Sequence, residues 1–168
     1  PYTVLNPYTP FQAGDVPPEM FFGREEMIKE LLRMGGSCIV FGGRQLGKSA
    51  LLRRVQREFH NPTRHQYAVV VDIKLLGDPK AMRQTSLIWA RIRECLKTMG
   101  LLNRNITTDR AEEIRKYLRD VMQQDNRRKL ILLFDEADNF LEADAKENFS
   151  EVESLRTLML ESDYRFKV

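Results

Sequence analysis

Gly42-Gly43-Arg44-Gln45-Leu46-Gly47-Lys48-Ser49 satisfies the pattern G-x-x-x-x-G-K-[ST] at every fixed position, and its flanks give the pattern a physical context. Before it, Ser37-Cys38-Ile39-Val40-Phe41 is short, apolar and partly β-branched, which predicts a buried strand. After it, Ser49 to Val55 has helical periodicity, which predicts a helix from about Gly47 to Phe59 that Asn61-Pro62 closes. Strand, loop and helix in this order make a phosphate-binding loop. Successive backbone N–H groups converge on a phosphate at the helix N-terminus, where unpaired donors and the helix dipole favour negative charge. Gly42, Gly43 and Gly47 let the backbone curl that closely, and Arg44, Gln45 and Leu46 complete the loop. Lys48 is expected to reach the β- and γ-phosphates, the Ser49 hydroxyl to ligate Mg²⁺, and Ala50 to lie next to them in the first helical turn.

Length and composition bound what surrounds the loop. A chain of 168 residues with 42% hydrophobic content can bury one core and is short for two ordinary domains. Lys and Arg total 27 against 24 Asp and Glu, a net charge of +3 spread along the chain, which does not support a nucleic-acid partner. Cys38 and Cys95 are far apart and lack metal-ligand spacing, so they read as reduced core thiols of a cytoplasmic protein. No apolar run reaches 18 residues and no charged-then-apolar leader is visible, which predicts no membrane span.

Residues 1–20 hold five of the seven prolines and are expected to form an extended arm, followed by one α/β domain over 21–168. Met27, Ile28, Leu31 and Leu32 predict a helix over 24–34, stopped by Gly35-Gly36. Tyr67 to Ile73 predicts a second strand whose continuous apolar run suits a parallel sheet covered on both faces. A helix is expected from about Gln84 to Met99, with Trp89 in the core beside Leu87, Ile92 and Leu96. Thr108 is expected to cap a further helix to about Gln124, with Ile114, Leu118, Val121 and Met122 facing inward. Leu130 to Phe134 predicts the third strand, and about Asn148 to Glu161 the last full helix. His60 and His65 read as plain surface histidines, and Arg127-Arg128-Lys129 as a solvated turn.

The third strand runs into Asp135-Glu136, so two carboxylates emerge at the carboxyl end of a buried parallel strand, the edge where such sheets bind ligands. This is a Walker B arrangement. Asp135 is expected to hold the Mg²⁺ shell beside Ser49, and Glu136 to orient and polarise the water that attacks the γ-phosphate. Asp135-Glu136-Ala137-Asp138 also spells the signature of DEAD-box RNA helicases. Those enzymes carry a different phosphate loop and an upstream glutamine, so the tetrapeptide is read as coincidence.

Upstream, Phe21-Phe22-Gly23-Arg24-Glu25-Glu26 leads through one amphipathic helix to the Walker A strand. This order resembles the start of AAA+ and STAND ATPases near the origin-recognition and archaeal ATPase groups, over about residues 21–168. The resemblance implies an α/β P-loop three-layer sandwich with a parallel sheet. It makes Phe21, Phe22 and Gly23 the adenine-side wall and Arg24 and Glu25 a structural pair at the helix start. It also implies that Arg165 to Val168 begins a strand inserted between the Walker A and Walker B strands. The sensor residue, arginine finger and helical lid are then expected beyond Val168. The long separation of Lys48 from Asp135 suits the STAND and origin-recognition branches better than a compact AAA+ core.

The function so implied is Mg-ATP binding and hydrolysis by a conformational switch inside a larger signalling or defence protein, with self-association through the ATPase domain. A nucleic-acid-directed loader or remodeller and a non-hydrolysing ATP-binding scaffold are the alternatives. Glu136 argues against the last of these.

Overall fold

One strand, Lys129–Asp135, sorts the molecule into layers, because its side chains alternate between two apolar clusters. Leu130 and Leu132 enter one cluster, and Ile131 and Leu133 enter the other. The computed structural model describes residues 23–42, 47–78, 80, 84–102 and 110–168. In chain order these form α1 (Glu25–Leu32), α2 (Lys48–Phe59), β1 (Gln66–Asp72), α3 (Ile88–Thr98), α4 (Ala111–Gln124), β2 (Lys129–Asp135), α5 (Asp138–Lys146), α6 (Ser150–Glu161) and β3 (Phe166–Lys167). Short 3₁₀ turns precede β1 at Pro62–Arg64 and α3 at Thr85–Leu87.

The sheet is parallel with order β1-β2-β3. β1 and β2 are paired from Gln66↔Lys129 to Asp72↔Asp135, so both strands end on the same line with an aspartate. α1 and α2 cover one face. Leu51 and Val55 of α2 are wholly buried there against Ile28, Leu31, Ala68, Ile131 and Leu133. Burial at that depth stabilises by about 1.5–3 kcal/mol per side chain. The other face carries α3, α4 and α6, with Trp89, Ile92, Leu96, Ile114, Leu118 and Phe166 in its core. The mixed α/β, three-layer arrangement expected of the sequence is therefore present.

Trp89 is fully buried as expected, and its indole N–H donates to Glu151 Oε2 at 2.5 Å, while the Arg115 guanidinium lies 5.3 Å from its ring. The inward face of α4 is also as expected. Asp144 is buried and accepts the Val152 and Glu151 N–H groups at 2.9 and 3.2 Å, which caps α6 from α5. α5 was not foreseen.

Four expectations are corrected. Ser37 to Phe41 forms no strand: Ile39 is 74% and Phe41 91% exposed. A strand needs a partner edge, and among the described residues none pairs with this segment. The insertion of β3 between two longer strands is consequently not formed among the described residues, although β3 does pair with β2 as expected. Cys38, carried on that segment, is exposed, whereas Cys95 is buried. Leu87 belongs to a 3₁₀ turn, not to the face of α3 that buries Trp89, and is exposed. The histidines lie at the surface as expected, His60 exposed and His65 half-buried; His60 Nδ1 accepts the Ala68 N–H at 3.2 Å, and His65 Nδ1 lies 2.7 Å from Asp125 Oδ2. The N-terminal arm and Thr108 lie outside the described residues.

Candidate nucleotide site

α2 opens where the phosphate loop ends. Gly47 is its N-cap, at φ 72°, ψ 28°, a left-handed conformation that glycine adopts without strain. Lys48 and Ser49 follow in the first turn, both half-buried. α1, α4, α5 and α6 carry acidic residues in their first turns, which the helix dipole favours. α2 has none there and has a lysine instead. An anion at this terminus would be stabilised by the N–H groups and by Lys48 together. Lys48 Nζ is folded back onto the loop, donating to the Gly42 carbonyl at 2.9 Å.

α1 meets this terminus from the side. Gly23, at φ 78°, turns the chain into α1, and the guanidinium of Arg24 reaches the loop, with its Nη1 3.8 Å from where a Cβ on Gly47 would be. The sequence placed Arg24 only as part of a structural pair. Phe21, Phe22, Gly43, Arg44, Gln45 and Leu46 lie outside the described residues, so the adenine-side wall and the middle of the loop have no described geometry. Ala50 is buried against the α2 side of the sheet.

Asp135 closes β2 and is half-buried, while Glu136 is exposed at the carboxyl edge. Glu136 has φ 56°, an uncommon left-handed conformation for a residue with a side chain, and its N–H donates to Asp135 Oδ1 at 3.1 Å. Asp72 was missed by the sequence reading. The register places it directly beside Asp135 at the same edge, and two seven-residue strands that both end in Asp were the signal that could have found it. Asp72, Asp135 and Glu136 do not gather into a three-carboxylate metal cluster among the described residues. One hydroxyl from Ser49 and one carboxylate from Asp135 suit an Mg²⁺ ion, which takes few protein ligands and keeps several waters.

The buried thiol of Cys95 is pushed up to about 11 by burial, lowered somewhat by the Arg91 charge and raised by that of Glu94. It is a core side chain without nucleophilic character at neutral pH. No helix among the described residues is long and apolar enough to cross a membrane.

A family model described as an AAA domain matches residues 32–168. The match begins at the last residue of α1, and so takes in the phosphate loop, Asp135-Glu136 and β3 but not Phe21 to Gly23. Neither the comparison with curated proteins nor that with solved structures gave a match. With the loop-capped helix α2 and the acidic carboxyl edge of β2 inside the matched span, the chain belongs to the AAA domain family of nucleotide-binding P-loop ATPases.

Proposed function

We propose that this chain binds Mg-ATP between the N-terminus of α2 and the Asp135-Glu136 edge, hydrolyses it, and uses the difference as a conformational switch of the STAND type within a larger signalling or defence protein. The observation that carries this reading is the contact of Lys48 with Gly42. The lysine that would hold the phosphates donates to Gly42, so a triphosphate must draw the amine off that carbonyl. That gives the Lys48 side chain two arrangements whose balance ATP sets, which is what a switch requires.

Each residue then has a defined task. Backbone N–H groups of the Gly42–Gly47 loop bind the phosphates, and Lys48 adds a point charge to them. Ser49 and Asp135 would hold Mg²⁺, which supplies charge neutralisation at the phosphate oxygens. Phe21, Phe22 and Gly23 would wall the adenine. Glu136, exposed at the end of β2, accepts a proton from the attacking water and orients it.

Replacing Glu136 by Gln keeps shape and hydrogen bonding but removes the base. Bound ATP should persist, with single-turnover hydrolysis slowed on the order of 10²–10⁴-fold at unchanged ATP affinity. Hydrolysis at the wild-type rate would move the base elsewhere.

A further inference from the structure

The turn that follows β1 is seated on the first turn of α5. Asp72 Oδ1 accepts the Lys74 N–H at 2.9 Å and the Ile73 carbonyl accepts the Leu76 N–H at 2.9 Å, so residues 72–77 curl back under the edge. Ile73 and Leu76 are each 1% exposed and anchor the turn in the core. Two contacts then join it to α5. The Asn139 carboxamide Nδ2 donates to the Lys74 carbonyl at 3.1 Å. Gly77, at φ 75°, presses so closely on α5 that a Cβ there would lie 2.4 Å from the Asn139 carbonyl oxygen and 2.7 Å from Ala143 Cβ. Only glycine fits, for space and for backbone conformation alike.

Glu136 lies between two fixed points. On one side, the β1–β2 ladder is extended past the strand end by Ile73 N–H to the Asp135 carbonyl at 3.1 Å. On the other, α5 starts at Asp138 and its first turn closes with Leu141 N–H to the Ala137 carbonyl at 2.9 Å. A left-handed residue with a side chain costs free energy and persists where its surroundings over-determine it. The 72–77 turn supplies that constraint on the α5 side.

We propose that Asn139 is a positioning residue for Glu136. With Gly77 as its seat, it latches the first turn of α5 to the turn after β1 and so holds the Glu136 carboxylate at the sheet edge. The proposal rests on the reading of Glu136 as the base. Asn139 touches neither nucleotide nor water in this role; it acts through the backbone of residues 136–139.

Asn139→Ala and the isosteric Asn139→Asp, whose carboxylate would face the Lys74 carbonyl, are compared with the wild-type protein and Glu136→Gln. ATP affinity is measured by calorimetry, hydrolysis by single-turnover assay, and protection of the Leu141 amide by hydrogen exchange. ATP affinity is expected to stay within twofold. The rate per bound ATP should fall about tenfold in Asn139→Ala and further in Asn139→Asp, with Leu141 protection lost in both. A residue that merely supports the fold would lower affinity and stability together and leave the rate per bound ATP intact, which would overturn the proposal. So would wild-type Leu141 protection in Asn139→Ala. If Glu136→Gln hydrolysed ATP as fast as wild type, the assignment of the base would fail and the proposal with it. Glu136-dependent hydrolysis that is untouched by Asn139 would overturn the latch alone.

Discussion

Glu136→Gly should make the protein more stable while abolishing hydrolysis. Glu136 sits at φ 56°, where a residue with a Cβ costs about 1–2 kcal/mol and glycine does not. Glycine gives back about 0.5–1 kcal/mol through the larger entropy of its unfolded chain. The Glu136 side chain is exposed and its N–H bond to Asp135 survives any substitution except proline, so little else changes. The net expectation is a gain of about 0.5–1 kcal/mol, or roughly 1–4 °C in a domain of this size. Glu136→Ala is the control: it removes the same carboxylate but keeps the left-handed strain, and should stay within about 0.5 kcal/mol of wild type. Urea titrations of the three proteins would show the glycine midpoint displaced upward with an unchanged slope. At an ordinary loop position glycine is the more destabilising of the two. A glycine variant less stable than the alanine variant would therefore refute the left-handed assignment and the account of a strained catalytic position.

The two thiols should separate by rate under a thiol reagent at pH 8: Cys38, exposed, labels at once, and Cys95, buried with its pKa near 11, labels only on unfolding. Two slow thiols would restore Cys38 to a buried strand. Asp125 is held below its ordinary value of 3.8 by the Arg127 backbone N–H first, and also by the Arg127 side chain and by His65. Its lowered pKa contributes stability that is complete above the ordinary aspartate range and disappears as pH falls through the folded-state value. Asp125→Asn should thus be less stable than wild type at pH 6, with the gap closing on acidification; a gap constant down to the acid transition would exclude the carboxylate as its cause.

What the sequence made legible was set by local pattern. α2, α4, β1 and β2 followed from periodicity, because the residues that define each face are buried on the side the spacing indicated. Ser37 to Phe41 had the composition of a strand, but pairing is a property of two segments. Among the described residues no strand pairs with it. α5 escaped notice because Phe140 and Asp144 are its only buried residues, and an aspartate inside a helix reads as solvent-facing until its bonds to the start of α6 are seen. At the site, the motif named Lys48, Ser49, Asp135 and Glu136, and the fold places the first two at the head of α2 and the last two at the end of β2. Asp72 could have been found only by comparing the two strand ends, and Gly77 and Asn139 could not be read at all. Their importance arises from a backbone contact and a hydrogen bond between segments more than sixty residues apart, which leave no local signature.

The central claim is that the head of α2 is a phosphate site built around Lys48. Isothermal titration of the purified protein with Mg-ATP, wild type beside Lys48→Ala, tests it directly. The Lys48 side chain is half-buried at a helix start, where it donates to the Gly42 carbonyl, and a substitution at such a position should leave the protein folded. The account predicts saturable binding to the wild type, with ATP preferred over GTP, and loss of binding in the variant. Equal affinity of a folded Lys48→Ala variant for Mg-ATP would contradict it.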